Sequence, residues 1–203
     1  MVIGQEHLPV GVVDAPPGTA VDLLVRECLG APGASPRAIR GSRLYTRCLE
    51  RVTAAEDEAA EKPYTGGTFL VTGGAGGLGL NIVEEMAAQG AERIVLLGRS
   101  VLDESTRRRL ERLHMAEYVR CDVSRPEEVR SLGERLKTDG VRLTGIVHAA
   151  GVAGDGFLGS KQREVYDAVL APKIDGSVAL LDLAAEHPDP FVVFFSSITS
   201  ITG

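Results

Sequence analysis

The run Thr72-Gly73-Gly74-Ala75-Gly76-Gly77-Leu78-Gly79 constrains this chain more than any other segment. The apolar, strand-like Thr68-Phe69-Leu70-Val71 precedes it, and a helical pattern from Asn81 to Gln89 follows. Strand, glycine turn, helix is the context in which such a run binds a dinucleotide. Glycines let the backbone turn tightly and approach a pyrophosphate with no Cβ in the way. The following helix aims free N–H groups and the positive end of its dipole at the phosphates. A turn that merely packs closely would also use glycines, so the rest of the chain has to decide.

Downstream of Thr68, strand patterns alternate with helical ones. Strands are expected at Phe69–Thr72, Arg93–Leu97, Glu117–Arg120, Gly145–His148 and Phe191–Phe195. Helices are expected at Leu78–Gln89, from an Asp103 cap to Leu113, after a Ser124 cap with Pro126 in the first turn, and at Ser160–Leu170 and Pro172–Glu186. Continuous apolar strands between amphipathic helices indicate a parallel sheet buried on both faces. The expectation is an α/β fold: a Rossmann-like doubly wound parallel sheet of order 3-2-1-4-5, incomplete, with ligand at the carboxyl ends of the strands.

Residues 1–52 predict a small appendage. Val10–Val13 is a strand candidate, Thr19 a cap for a helix through Leu29, and Arg37–Arg40 with Leu44–Val52 a hairpin around Gly41-Ser42. Such a piece buries little alone and has to lean on another element. Residues 53–66 are expected as a linker, 53–62 being acidic and alanine-rich like a linker or a solvated helix.

A net charge of −6 and the lack of a basic block argue against nucleic acid as a partner. Arg107-Arg108-Arg109 sits between Glu104 and Glu111, the pattern of a solvated helix face. No apolar run approaches membrane-spanning length and no signal-peptide pattern opens the chain. Cys28, Cys48 and Cys121 are odd in number and share no CxxC spacing, which predicts structural thiols in a reducing cytoplasm. Scattered histidines predict no metal site.

The expected strand ends carry the candidate chemistry. Strand two ends in Leu97-Gly98-Arg99-Ser100, where an NAD-preferring fold would place a carboxylate on the ribose 2′-hydroxyl. Arg99 instead offers a guanidinium fork to a 2′-phosphate, which favours NADPH. Strand three ends in Cys121-Asp122-Val123, whose carboxylate can accept from an adenine amino group or cap the adjacent turn. Strand four ends in His148-Ala149-Ala150-Gly151, where small residues let a ribose lie against the strand end; His148 alone reads as a core histidine.

The motifs TGGAGGLG, LLGRS, CDVS, HAAG, APKIDGS and FFSS, in this order and spacing, resemble the ketoreductase domains of modular polyketide synthases, within the short-chain dehydrogenase/reductase superfamily. The resemblance runs from Thr68 to Gly203. Residues 1–52 resemble the end of the structural subdomain that precedes such domains. The resemblance implies NADPH-dependent reduction of a β-ketoacyl thioester carried on an acyl carrier protein. It implies cofactor contacts at Thr72 to Gly79, Arg99, Ser100, Cys121 to Val123 and His148 to Gly151. It implies a catalytic lysine at Lys173, in Ala171-Pro172-Lys173-Ile174, and a catalytic serine at Ser197. The residues alone read Lys173 as following a first-turn proline, and Ser197 as a hydroxyl able to stabilise a developing alkoxide or as a turn serine.

The family's general acid is a tyrosine in a YxxxN pattern about a dozen residues past that serine. Tyr45, Tyr64, Tyr118 and Tyr166 are the four tyrosines here, and none begins YxxxN or YxxxK. The expectation is therefore a ketoreductase fragment or half of a split domain, inactive alone and open to a complementary chain. The alternative is a catalytically inactive truncated nucleotide-binding or assembly module. An epimerase or dehydratase on a similar fold is a more distant reading, and it too wants a tyrosine near a lysine. The FVVFF strand would carry an open apolar edge, an association site. Of the Leu-Asp-Asp signature of B-type ketoreductases, the segment Ala153-Gly154-Asp155 keeps the last aspartate, so Asp155 is expected to guide substrate entry toward the B-type product.

Overall fold

A computed structural model of the chain describes residues 12–30, 37–51, 62–154 and 161–198. It divides into two compact units, Met1–Glu58 with Ser196–Gly203, and Ala59–Phe195.

In the first unit, β1 (Val13–Asp14), α1 (Val21–Leu29), β2 (Arg37–Arg40) and β3 (Arg43–Thr46) follow one another. β2 and β3 pair antiparallel around the expected Gly41 turn, where φ is +60°, and β1 adds parallel to β2. The second hairpin strand ends at Thr46, short of the expected Val52. Thr19 does not cap α1: its hydroxyl donates to the Pro16 carbonyl at 2.7 Å and Ala20 takes the cap position. Val10 and the 53–61 stretch lie outside the described residues.

The second unit is built on five parallel strands, β4 (Thr68–Thr72), β5 (Arg93–Gly98), β6 (Ala116–Arg120), β7 (Leu143–His148) and β8 (Phe191–Phe194). Their spatial order, β6-β5-β4-β7-β8, is the expected 3-2-1-4-5. Its helices are α2 (Gly77–Gln89), α3 (Glu104–Glu111), α4 (Pro126–Thr138) and α5 (Arg163–Ala185). The two-residue period of a strand decides which helix covers which face. Phe69 and Val71 of β4 pack with Leu80, Val83 and Met86 of α2 and Leu110 of α3. Leu70 joins Val129, Leu132 and Leu136 of α4 with Leu180 and Leu183 of α5. Burying each such side chain stabilises by about 1.5–3 kcal/mol.

Local signals fix most boundaries. Asp103 caps α3 by accepting from the Thr106 N–H at 2.7 Å, although the helix stops at Glu111 rather than Leu113. Gly90, at φ +97°, closes α2 in the left-handed conformation. The arginine cluster of α3 is a solvated face, with Arg107 paired to Glu104 and Glu111, and Arg109 to Glu84.

Two expectations need correction. Ser124 does not cap α4: its N–H and hydroxyl both donate to Asp122, at 3.0 and 2.6 Å, and Arg125 holds the cap position. The two helices expected around Pro172 are one, Arg163–Ala185, with Pro172 inside it; Ser160 lies outside the described residues. A proline within a helix costs about 3 kcal/mol. Here Pro172 is buried, and its carbonyl accepts from the His148 ring across the sheet at 2.8 Å. Tertiary packing thus holds together a helix that local propensity would break.

Candidate active site at the carboxyl ends of the strands

The chain order reverses between β4 and β7, and their carboxyl ends form the crevice where such sheets bind ligands. The glycine turn fills the space above β4. Gly73 has φ +67°, and a Cβ on it would come within 2.9 Å of the Ala149 carbonyl group. Gly73 N–H donates to Leu97 O and Gly76 N–H to Gly73 O, both at 2.9 Å. A Cβ on Gly79 would overlap the Gly73 carbonyl and approach Gly74 Cα to 2.6 Å, so helix and turn touch backbone to backbone. Gly77 differs: nothing lies within 4 Å of its Cβ position. The first intrahelical bond of α2 is Leu80 N–H to Gly76 O, so among the described residues the N–H groups of 77–79 have no backbone acceptor.

A cleft of ≈ 440 Å³ opens over this helix end, lined by Gly73, Ala75 to Gly79, Gly98 to Asp103, Thr106, Tyr118, Ala149 and Gly151. A smaller hollow of ≈ 100 Å³ continues it along Cys121, Asp122, Val123, Ala150, Val152 and Pro172. The two share Gly73, Gly98, Arg99 and Gly151, making one groove from helix end to strand ends. The open cradle at Gly77 and the unpartnered N–H groups fit a dinucleotide pyrophosphate. Arg99 and Ser100 are exposed just past the end of β5 and line the same groove.

Most of the expected cofactor residues therefore converge. Thr72, Gly74 and His148 are buried and line neither hollow. The Ala150 N–H donates to Thr72 Oγ1 at 3.1 Å, and Thr72 Oγ1 meets His148 Nδ1 at 2.6 Å. His148 Nε2 faces the Pro172 carbonyl, which can only accept, so Nε2 carries the proton and Nδ1 takes the threonine hydrogen. His148 is buried. Burial pushes its imidazole below the ordinary value, the nearby Lys173 charge adds to this, and the Pro172 bond opposes it. It is a neutral tie between β4, β7 and α5. Asp122 spends one carboxylate oxygen on Ser124, the turn role allowed above. Cys121 is buried, which pushes its thiol up to about 11.

Lys173 is exposed and mid-helix rather than behind a first-turn proline. Its Nζ donates to the Phe195 carbonyl at 3.1 Å, and a Cβ on Gly151 would stand 3.8 Å from it. The ammonium thus sits at the ends of β7 and β8. Ser197 is exposed and falls in the other compact unit, so the groove does not include it. Asp155 lies outside the described residues. The sequence reading missed Gly98 and Tyr118; the LLGRS glycine was the available signal for the first.

A family model described as KR domain matches residues 67–203. Polyketide synthase PksN of Bacillus subtilis (strain 168) is 39% identical over 170 residues, 81% of this chain and 3% of that protein. Polyketide synthase GfsA of Streptomyces halstedii is 36% identical over 201 residues, 95% of this chain and 3% of that protein. A solved ketoreductase domain from the bacillaene assembly line superposes with a TM-score of 0.85 at 31% identity, covering 98% of this chain and 49% of that one. The chain thus spans a few per cent of these synthases and about half of the solved domain. With this sheet order and this glycine turn, the chain belongs to the ketoreductase domains of polyketide synthases, in the short-chain dehydrogenase/reductase superfamily.

Proposed function

We propose that the chain holds the cofactor of an NADPH-dependent reductase whose substrate is a β-ketoacyl thioester on an acyl carrier protein. The observation that carries this reading is the open helix end beside Arg99. Where an acidic residue would select NAD, the chain presents a cation. When bound, the nicotinamide supplies the hydride that converts the β-ketone to a β-hydroxyl. The N–H groups of 77–79 hold the pyrophosphate, and the Arg99 fork with Ser100 holds the 2′-phosphate. Ala149, Ala150 and Gly151 leave room for the ribose. Lys173 brings a positive charge to the strand ends, which lowers the energy of negative charge developing nearby.

None of the four tyrosines in these 203 residues begins the YxxxN pattern that supplies the alkoxide its proton in this family. A complementary chain is one source of it. General acid catalysis contributes ~10²–10⁴-fold, so the chain alone turns over poorly. The second reading is a nucleotide-binding or assembly module without chemistry. The unpaired thiols fit a reducing cytoplasm. Among the described residues, no helix is long and apolar enough to cross a membrane.

Titrating the chain with NADPH and NADH tests the cofactor: tighter NADPH binding that Arg99→Glu abolishes is expected, and tighter NADH binding overturns it. Coexpression with a segment carrying YxxxN tests the activity. Ketone reduction that Lys173→Ala removes supports the enzyme, and binding without turnover supports the module.

A further inference from the structure

Two side chains of β6 grip the backbone just past the end of β5. The Tyr118 hydroxyl donates to the Ser100 carbonyl at 2.6 Å, and Arg120 Nε donates to the Arg99 carbonyl at 3.0 Å. The parallel register sets Leu96 opposite Tyr118 and Gly98 opposite Arg120, so both residues stand on one face of β6 at the height of the turn. Gly98 makes room: a Cβ there would lie 2.5 Å from the Tyr118 oxygen and 3.0 Å from its ring. Tyr118 shares the lining of the main cleft with Gly98, Arg99 and Ser100.

We propose that Tyr118 and Arg120 are positioning residues that make the Arg99–Ser100 turn selective for a 2′-phosphorylated nucleotide. This rests on the NADPH reading above. A carbonyl oxygen carries partial negative charge and repels a phosphate dianion. Two consecutive carbonyls, each held by a donor on β6, are withdrawn from that role, and the turn presents its cation and its hydroxyl without them. Among the described residues of this unit, the arginines in ion pairs are Arg93, Arg107, Arg108, Arg109, Arg125 and Arg163. Arg99 is in none, so its charge is not spent on a carboxylate. Arg120 is in no ion pair either; Glu127 and Glu128 line a hollow beside it, and its contact with the turn is the Nε bond to the Arg99 carbonyl.

The test uses the whole chain and two adenine nucleotides, 2′,5′-ADP and 5′-AMP, which probe this end of the groove without any turnover. The Tyr118 bond is neutral and worth about a fivefold change in affinity, and the Arg120 bond, whose donor is charged, is worth at least as much. Tyr118→Phe is expected to weaken 2′,5′-ADP about fivefold and leave 5′-AMP within twofold. Arg120→Met is expected to do the same, and Arg120→Lys, which keeps a donor, to recover most of the loss. Wild-type chain that binds the two ligands equally overturns the NADPH reading itself. Wild-type preference with an unchanged ratio in both Tyr118→Phe and Arg120→Met overturns the clamp alone. So does equal weakening of both ligands, which is what general loosening of the fold gives. Arg120 is exposed, so its variants decide the matter if Tyr118→Phe fails to fold.

Discussion

Gly77 and Gly79 lie two residues apart in the first turn of α2, and the same substitution should move them in opposite directions. Alanine is the better helix former by about 1 kcal/mol, so propensity alone favours both changes. At Gly79 the new methyl overlaps the Gly73 carbonyl and meets Gly74 Cα at 2.6 Å. Backbone has to retreat by most of an ångström. Overpacking of this kind costs about 1–3 kcal/mol. The two 2.9 Å bonds that pin Gly73 and Gly76 would also be disturbed, at about 1 kcal/mol each. After the propensity gain, Gly79→Ala should destabilise by about 2–4 kcal/mol, a fall in Tm of roughly 5–15 °C for a chain of this size. At Gly77 nothing lies within 4 Å, so Gly77→Ala should raise Tm by up to about 4 °C. It should also cut NADPH affinity, because its methyl enters the cradle. Urea or thermal unfolding, with nucleotide titration beside it, reads both effects. Equal shifts of stability in the same direction would refute the reasoning.

Three further outcomes are expected. Ellman's reagent at pH 8 should modify Cys28 and Cys48, which are exposed, within minutes and reach Cys121, whose thiol is pushed up to about 11, only on unfolding; three fast thiols would contradict its burial. Burial depresses both His148 and His187; the Lys173 charge adds at the first, while at the second Arg142 adds and Glu186 opposes. The unfolded chain then takes up protons first, near the usual value of about 6.5, so these groups' contribution is full above that pH and is lost as pH falls below it. Urea midpoints at pH 7.5 and 5.5 should differ less in His148→Gln, and an unaltered difference in both His148→Gln and His187→Gln would sink the account. β8 pairs with β7 on one side and leaves Val193 and Phe194 about 40% exposed. Light scattering should therefore detect self-association at micromolar concentration that Val193→Lys reduces, and a cooperatively folding wild-type monomer would count against it.

The sheet order and the glycine turn were legible in the sequence because both rest on local patterns: apolar strands at regular spacing, and glycines where no Cβ fits. The place of Arg99 just past a strand end, on the rim of the groove, was legible for the same reason. Pro172 was not, because a proline in a helix is decided by what holds it, and its partner His148 is on β7, 24 positions away in the chain. Ser124 and Asp122 are both short polar side chains before a helix, and sequence spacing does not say which accepts and which donates. Tyr118 read as an ordinary strand former. Its hydrogen bond depends on the register of β5 against β6, which packing of both faces sets.

The parallel pairing of β4 with β7 has a consequence for synthesis. Thr72 and His148, which meet at the end of that pair, are 76 positions apart in the chain. At about 5–20 residues per second, β7 leaves the ribosome roughly 4–15 s after β4. β5 and β6 are made in the interval, and β5 can pair with β4 on one side only, with β6 beyond it. The central strand of the finished sheet is thus an edge while the chain is being made, with Phe69, Leu70 and Val71 incompletely covered. Translation rate through α3 and α4 therefore sets how long the nascent chain offers that edge to chaperones or to its neighbours on the same message.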